Sequence, residues 1–320
     1  MANNQTTPGL VVTRTPLRIS FAGGGTDLPS FYHQDHGAVL SATIDKYLYV
    51  TVKRHGTIFN ERFRLNYFET ENVASIPEIK NDIARECLRL LEVEPSIYIS
   101  TVADLPANSG LGSSSSFAVG LLHALHALQG ERTSPGQLAE EAAHIEMDVL
   151  KRPIGKQDHY AAAFGGFNYF TFLSDDRVTI EAQHLSNNGL DILFEQIMLF
   201  STGIWRDAST ILTEQNSNLN DNLKGLVAIR SQAKELRDML NNGGSDKMGA
   251  ILDEGWKLKR QFASTISNGS IDQWYDQAMT AGAAGGKVCG AGGGGFLMFF
   301  AAPARHEAIR RTLSEITSVP

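Results

Sequence analysis

Residues 106–128 read PANSGLGSSSSFAVGLLHALHAL, in which a glycine- and serine-rich segment runs directly into an apolar one. The apolar part, Phe117–Leu128, is hydrophobic on nearly every face, which is typical of a buried helix. The preceding residues 96–104 read SIYISTVAD and predict a strand, because β-branched and aromatic residues dominate them. A polar loop, residues 106–116, therefore joins a strand to a buried helix; we call it the serine loop.

The serine loop has the composition of an anion-binding site. Gly110 and Gly112 let the backbone amides converge, and four consecutive serine hydroxyls can donate to oxyanions. The free N–H groups at the start of the following helix favour phosphate. The loop is not a Walker loop, because no Lys-Ser or Lys-Thr pair closes it, and serine replaces the third glycine of a dinucleotide fingerprint. The alternative is a flexible connection in which Ser113 only caps the helix.

A second glycine cluster, Gly23–Gly25, follows a predicted strand in the stretch TPLRISFAGGGTDL, residues 15–28. Arg18 lies on the strand, and Thr26 and Asp27 follow the glycines. Such a set can bind a polyhydroxylated ligand, with the carboxylate on hydroxyl groups and the cation on a phosphate. The alternative is that Asp27 caps a turn. We call Gly23–Gly25 the N-terminal glycine cluster.

A third cluster lies in KVCGAGGGGFLMFF, residues 287–300, and matches G-x-G-x-x-G at Gly290, Gly292 and Gly295. A dinucleotide site is excluded here, because a strand follows instead of a helix and no acidic ribose ligand appears about 20 residues later. Glycines at this position let a loop or a ligand lie against the backbone. The alternative is a tight hairpin turn. We call Gly290–Gly295 the C-terminal glycine cluster.

The fourth candidate is HIEMDVLKRPIGKQDHY, residues 144–160, which carries Glu146 late in one predicted helix and Asp158 in the first turn of the next. We expect Asp158 to be ionised, because a helix N-terminus and nearby cations favour a carboxylate. His144 and His159 are interpreted as surface or packing residues, so zinc is not expected. A cation bridging serine and glutamate oxygens to phosphate would be Mg²⁺. The alternative is a surface salt-bridge face.

Length and composition restrict the remaining possibilities. The 320 residues suggest two domains, at about 150 residues each. A net charge of −7 argues against non-specific nucleic-acid binding. The two cysteines indicate a reducing compartment, and no apolar run approaches the roughly 18 residues of a membrane span, so we expect a cytoplasmic protein without a membrane partner.

Strand and helix patterns alternate irregularly along the chain, which favours an α+β fold over a doubly wound parallel sheet. We place a domain boundary near 180–190, which divides the chain into residues 1–185 and 186–320. The stretch Thr57–Tyr67 is predicted to be an antiparallel neighbour of a strand at Ala38–Lys53. Further predicted strands are Leu10–Phe21, Phe167–Leu173, Gln196–Phe200 and FLMFF, and predicted helices are Glu78–Leu91, 134–150, Lys156–Phe164, Leu219–Leu240, 245–263, 271–280 and one from Pro303.

The stretches TPLRISFAGGGTDL, PANSGLGSSSSFAVG and KVCGAGGGGF, in this order and spacing, resemble the three signature motifs of the GHMP kinases. The resemblance implies a two-domain α+β fold, with an N-terminal ATP-binding domain similar to ribosomal protein S5 domain 2 and a ferredoxin-like C-terminal domain. ATP and Mg²⁺ are the implied cofactors. ATP and a small sugar phosphate are the expected partners, and a homodimer is a further expectation.

The resemblance also assigns roles by motif position. Asp158 would be the catalytic aspartate and Arg18 its partner, while Ser114 and Glu146 would bind Mg²⁺. The implied ATP phosphate-binding residues are Ser109, Gly110, Leu111, Gly112, Ser113, Ser114 and Ser115. The implied substrate-binding residues are Gly24, Gly25, Thr26, Asp27, Gly292 and Gly293.

The variant GGGTDLPSF at residues 23–31 resembles the sugar-1-kinases that act on heptose phosphates, whereas galactokinases carry GEHTDY. The resemblance implies phosphorylation of D-glycero-D-manno-heptose 7-phosphate to the 1,7-bisphosphate, and the departure from the galactokinase pattern argues against galactose. The alternatives are a kinase of an unphosphorylated sugar such as fucose, a kinase of an isoprenoid precursor, or a silent ATP- and sugar-binding sensor. A basic pocket for the substrate's own phosphate would discriminate among them. Its candidate residues are Arg14, Lys151, Arg152 and Arg206.

Overall fold

The computed structural model describes residues 8–56, 58–185, 188–206 and 208–319. Within these residues the strands form a seven-stranded sheet from β1–β7 and a four-stranded sheet from β8–β11. The strands are β1 (Leu10–Ala22), β2 (Gly37–Arg54), β3 (Phe63–Asn66), β4 (Thr70–Val73), β5 (Ile97–Ala103), β6 (Phe167–Phe172), β7 (Val178–Ala182), β8 (Ile197–Ser201), β9 (Gly285–Val288), β10 (Phe296–Phe300) and β11 (Thr317–Val319).

Helices cover these sheets. The α-helices are α1 (Pro29–Tyr32), α2 (Asp82–Leu90), α3 (Ser113–Gln129), α4 (Pro135–Ala143), α5 (Gln157–Phe164), α6 (Gly189–Phe194), α7 (Ala208–Ser217), α8 (Leu219–Asn241), α9 (Met248–Lys259), α10 (Gly269–Ala281) and α11 (His306–Thr312). Short 3₁₀ turns span Ile76–Glu78 and Pro303–Arg305, and a π-helix spans His144–Val149. No helix in the described ranges is both long and apolar enough to cross a bilayer.

The larger sheet has the order β4-β3-β5-β2-β6-β7, with β1 paired to β2. Its neighbours are antiparallel except for β3 and β5, which run parallel. The smaller sheet has the antiparallel order β11-β8-β10-β9. With its helices it forms the β-α-β-β-α-β arrangement of ferredoxin-like folds. The predicted α+β class is therefore confirmed.

The prediction that Thr57–Tyr67 pairs with β2 is wrong. In this stretch Phe63–Asn66 forms β3, which pairs with β4 and β5; Thr57 itself lies outside the described residues. The reason is that a strand has only two edges. β1 occupies one edge of β2, while β5 and β6 share the other.

Helix α3 positions the serine loop. It begins after Gly112, whose φ is +80°, and ends at Gly130, whose φ is +82°. The helix lies flat on β1: Thr13 Oγ1 donates to the Gly120 carbonyl at 2.8 Å, and a Cβ on Gly120 would lie 2.6 Å from Thr15 Oγ1. This close approach fixes the N-terminus of α3 at the end of the sheet.

The core beneath β1 draws on both halves of the chain. Leu17 and Ile19 of β1 belong to the same buried cluster as Met248 of α9 and Phe296 of β10.

The boundary between the two sheets lies in one short stretch of the chain. The larger sheet ends at Ala182 and the smaller one begins at Ile197. We retain the division into residues 1–185 and 186–320 as a proposal, with residues 186 and 187 outside the described part.

Because α3 carries the serine loop, its buried face should contribute strongly to stability. Leu121 is fully buried on this helix, so Leu121→Ala should lower the free energy of unfolding by about 2–5 kcal/mol. Urea denaturation followed by circular dichroism measures the effect. His123→Ala, an exposed position on the same helix, is the matched control and should leave the transition nearly unchanged. Equal midpoints for both variants would contradict this assignment of the core.

Candidate active site

A cavity of about 380 Å³ lies where the two halves meet. The serine loop, the N-terminal glycine cluster and the start of α5 line one part of it, and α7, α9 and the loop after β9 line the rest. Three of the four sequence candidates therefore lie around one cavity together with the first residues of the C-terminal glycine cluster. These contributions come from positions far apart in the chain.

The serine loop presents its glycines and most of its serines to the cavity. The lining residues from the loop are Asn108, Gly110, Gly112, Ser113, Ser114 and Ser115. Gly110 and Gly112 adopt φ of +76° and +80°, which L side chains rarely adopt, so glycine is required for this curvature. The alternative of a flexible connection does not fit, because the loop makes specific contacts on both sides.

Ser109 and Leu111 point away from the cavity. Both side chains are fully buried, and Leu111 packs in the core beneath β1. The Leu111 carbonyl accepts a hydrogen bond from the Arg18 amide at 3.0 Å. Leu111 therefore holds the loop in place, and any contact that Ser109 or Leu111 makes with phosphate would come from the backbone.

The C-terminal glycine cluster supports the serine loop from behind. It joins the antiparallel strands β9 and β10, so the hairpin turn given as the alternative is present, and the same residues also contact the serine loop. A Cβ on Gly290 would lie 2.6 Å from Gly110 Cα, which shows that the two backbones touch. Gly290 and Ala291 line the cavity, whereas a Cβ on Gly292 or Gly293 would instead meet Ile266, Ile211 and Thr265. Direct substrate contact is therefore better supported for Gly290 than for Gly292 or Gly293.

Arg18 and Asp158 form a bidentate ion pair at the edge of the cavity. Arg18 Nε lies 2.7 Å from Asp158 Oδ1, and Nη2 lies 2.5 Å from Oδ2. The third nitrogen, Nη1, donates to the Gly110 carbonyl at 2.7 Å. Arg18 is nearly buried, while the Asp158 side chain remains 24% exposed. The carboxylate is thus oriented against the serine loop and still accessible to a ligand.

Glu146 is fully buried beneath the start of α3. Its Oε1 accepts from Ser114 and from Arg152 Nη1 at 2.7 Å, and its Oε2 lies 2.9 Å from His159 Nε2. Burial alone would raise the pKa of Glu146, but the hydrogen bond and charge of His159, with Ser114 and Arg152, lower it to about 2. The residue lies in the π-helical turn that follows α4, a widened turn often found at functional sites.

Ser114 and Glu146 fit the requirements of a Mg²⁺ site. A hydroxyl and an ionised carboxylate are hard oxygen donors, and their contact shows that both side chains reach the same point. Arg152 Nη1 also lies 2.9 Å from Ser114 Oγ, so a cationic group already occupies this position. The chemistry of the donors therefore agrees with the role that the resemblance implied.

The N-terminal glycine cluster and α5 form the opposite wall. The Asp27 carboxylate accepts from the amides of Gly25 and Gln157 at 3.0 and 3.2 Å and from Gln157 Nε2 at 3.0 Å. Burial raises the pKa of Asp27, and the nearby Asp158 adds to the shift. The Thr26 hydroxyl bonds with the carbonyls of Gly23 and Ala38, so this side chain serves the fold rather than the cavity.

The four candidate residues for a basic pocket do not lie together in the structure. Arg14 lies over the ring of Tyr47, and Lys151 and Arg206 are exposed. Only Arg152 of these four lines the cavity, where Asp82 binds it at 2.9 Å through both carboxylate oxygens.

Some residues that line the cavity were not predicted from the sequence. Among them are Gln157, Gln215, Lys259 and Lys287. His159, interpreted as a surface or packing residue, is buried and oriented onto Glu146 instead.

The contact between the C-terminal glycine cluster and the serine loop should control the shape of that loop. Gly290→Ala places a methyl group 2.6 Å from Gly110 Cα at φ of +67°. We expect ATP to bind at least about tenfold more weakly, because left-handed strain of roughly 1–2 kcal/mol adds to the clash. Isothermal titration of ATP measures this. Gly269→Ala, where the methyl meets open space, is the control. Unchanged ATP affinity in a folded Gly290→Ala protein would refute the contact's role.

Family models match both halves of the chain. A model for the GHMP kinases N terminal domain matches residues 79–166, and a model for GHMP kinases C terminal matches residues 227–316. The two-domain GHMP kinase fold expected from the motifs is confirmed, because solved kinase structures align with nearly the whole chain.

Individual relatives extend this match. The chain is 32% identical over 304 residues to the D-glycero-alpha-D-manno-heptose 7-phosphate kinase of Campylobacter jejuni, covering 92% of this chain and 90% of that protein. It is 25% identical to a galactokinase of Pyrococcus furiosus, over 89% of this chain and 87% of that protein. A crystal structure of a D-glycero-D-manno-heptose 1-phosphate kinase from Bacteriodes thetaiotaomicron aligns with a TM-score of 0.79 at 29% identity, covering 97% of this chain and 95% of that chain. Since the family models match more than half of the chain and a 32% identical relative spans most of it, the chain belongs to the GHMP kinase family of ATP-dependent kinases.

Proposed function

We propose that this kinase transfers the γ-phosphoryl group of ATP to the anomeric hydroxyl of D-glycero-D-manno-heptose 7-phosphate, which yields the 1,7-bisphosphate. The main structural support is the position of Asp158, which Arg18 holds against the serine loop at the edge of the cavity. A hydroxyl bound beside Asp158 would lie next to a phosphate bound by the loop.

The serine loop would bind the triphosphate through its backbone amides, its hydroxyls and the N-terminus of α3. Ser114 and Glu146 would hold Mg²⁺, and the bound ion would neutralise charge on the phosphate oxygens. Phosphoryl transfer asks a protein mainly to position the reactants and to stabilise this charge. The low pKa of Glu146 fits this role, because the carboxylate stays ionised throughout the physiological pH range.

Asp158 would accept the hydrogen bond of the sugar hydroxyl and orient its oxygen toward the γ-phosphorus. The new bond forms between the anomeric oxygen and the γ-phosphorus, the hydroxyl proton passes to the Asp158 carboxylate, the bond from this phosphorus to the β–γ bridging oxygen breaks, and ADP leaves. Arg18 fixes the carboxylate with two hydrogen bonds, so its orientation does not depend on the substrate. An anomeric hydroxyl is more acidic than an ordinary alcohol, which reduces the demand on Asp158 as a proton acceptor.

Two observations support a heptose phosphate as the substrate. The relative from Campylobacter jejuni and the solved structure at 29% identity are both named as heptose phosphate kinases, whereas the galactokinase match is weaker. The chain also has GGGTDL where galactokinases carry GEHTDY, so two groups that contact galactose are replaced by glycine. This leaves room beside Gly24, where a Cβ would meet no atom closer than 3.7 Å, whereas the Gln215 amide fills the space beside Gly25.

Turnover assays test the substrate directly. The purified protein with ATP and Mg²⁺ should release ADP with D-glycero-D-manno-heptose 7-phosphate, and ³¹P NMR should show the new phosphorus coupled to the anomeric proton. Parallel assays use the unphosphorylated heptose, fucose and mevalonate. Faster turnover with fucose would favour the unphosphorylated-sugar alternative. ATP binding without ADP release from any compound would favour the sensor.

Asp158→Asn tests the catalytic assignment. The amide keeps the size of the side chain but cannot accept a proton, so kcat should fall about 10²–10⁴-fold, the range typical of general-base groups. The Kd of ATP should be unchanged, because the substitution leaves the backbone amides and hydroxyls of the serine loop in place. Asp148→Asn, on the exposed pair with His144, is the control and should keep full activity. Equal loss of turnover and ATP binding would show that Asp158 is structural.

A further inference from the structure

Two buried lysines line the same cavity outside the machinery described above. Lys259 ends α9 and Lys287 lies on β9, and these residues are only 9% and 8% exposed. Lys287 Nζ donates to the Ser20 carbonyl at 2.8 Å and to the Phe21 carbonyl at 3.3 Å. Lys259 Nζ donates to the Gly290 carbonyl.

The charges of these lysines are not neutralised in the described part of the protein. The acceptors they contact are backbone carbonyls rather than carboxylates, and Arg18, the third cation nearby, is already paired with Asp158. An ammonium group has three N–H donors; Lys287 uses two of them and Lys259 one. Donors and positive charge therefore remain for an incoming anion.

The lowered pKa values of both lysines fit a site that binds an anion. Burial, together with the positive charges of Lys287 and Arg18, lowers the pKa of Lys259 to about 7, although Cys289 and Asp27 act in the opposite direction. Burial likewise lowers the pKa of Lys287 to about 8, with Arg18 acting in the same direction and Cys289 opposing it. A buried charge is costly unless a partner compensates it, so an anionic ligand would stabilise both ammonium groups.

Unpartnered polar atoms surround the lysines. Within the described residues, Ser20 Oγ, Gln157 Oε1 and Gln215 Nε2 are buried without a hydrogen-bond partner, and all three side chains line the cavity. Ser20 and Gln215 are 7% and 3% exposed. A Cβ on Gly25 would lie 2.5 Å from Gln215 Nε2, so only glycine at this position makes room for the amide. Buried polar groups normally have partners, and a bound ligand would supply them here.

We propose that Lys259, Lys287 and Ser20 bind the phosphate group that the sugar substrate already carries, and that Gln157 and Gln215 bind its hydroxyl groups. This inference rests on the proposed function, because it names the subsite by which the kinase selects a phosphorylated sugar. The ammonium group of Lys287 is bound by carbonyls at the end of β1, just before the N-terminal glycine cluster. It therefore lies beside the wall of the cavity that carries Asp27. Ser114 and Glu146 mark the part of the cavity assigned to the transferred phosphate.

Lysine-to-methionine variants separate this subsite from the rest of the cavity. Methionine keeps the length of the buried side chain and removes its charge. With Lys259→Met or Lys287→Met, the Kd of D-glycero-D-manno-heptose 7-phosphate should rise at least about tenfold, the effect of losing one charged hydrogen bond. The Kd values of the unphosphorylated heptose and of a non-hydrolysable ATP analogue should not change. Lys257→Met, exposed on the same helix, is the matched control.

Other outcomes would overturn the subsite. Equal weakening of the phosphorylated and unphosphorylated heptose would show that the lysines act on the sugar ring or on the fold. Weaker binding of the ATP analogue would instead assign the lysines to the nucleotide. Between pH 7 and 9 the wild-type affinity for the sugar phosphate should fall as the free lysines lose their protons, and each variant should flatten this dependence. A pH profile identical in wild type and variants would also refute the proposal.

Inorganic phosphate distinguishes failure of the subsite from failure of the proposed substrate. The probe is titrated into protein saturated with the ATP analogue, so that the serine loop is already occupied. Lysine-dependent phosphate binding by a protein that does not phosphorylate the heptose would refute the substrate and keep the subsite. Normal heptose 7-phosphate turnover and KM in both variants would refute the subsite and keep the function.

Discussion

The ion pair between Arg18 and Asp158 is the interaction on which the candidate active site depends. The Arg18 side chain binds Asp158 with two nitrogens and the Gly110 carbonyl with the third, while its backbone amide binds the Leu111 carbonyl. One residue of β1 thus fixes the first turn of α5 relative to the serine loop. Phosphoryl transfer requires this kind of constraint, because its rate depends on the alignment of the acceptor hydroxyl with the transferred group.

The parts of the site that the sequence predicts are those with strong local signals. The serine loop is recognisable because glycines and hydroxyls precede a continuous apolar helix, and the structure places it at the start of α3. Asp158 is a candidate because it lies in the first turn of a helix directly after a basic turn, and the structure places it beside Arg18. β1 and β2 are long and rich in β-branched residues, so their pattern is unambiguous. In each case the decisive information lies within about 20 residues of chain.

The parts that the sequence does not predict depend on contacts between distant residues. Lys287 and Ser20 are 267 positions apart, and Lys287 lies in a four-residue strand, GGKV, which carries a weak strand signal. His159 has no local feature that distinguishes it from a packing residue; only the fold brings it to Glu146. The pairing of β3 was mispredicted because proximity in sequence favours a hairpin, whereas both edges of β2 are taken by other strands.

The backbone contact between Gly110 and Gly290 has a consequence for biosynthesis. The two residues meet at the base of the serine loop, and more than half of the polypeptide lies between them. Contacts of such large sequence separation form late, because closing a long loop costs entropy before the contact stabilises it. A nascent chain on the ribosome would therefore not hold the serine loop in its final shape until the residues after β9 have emerged, and under the proposed function nucleotide binding would accompany the completion of folding rather than precede it.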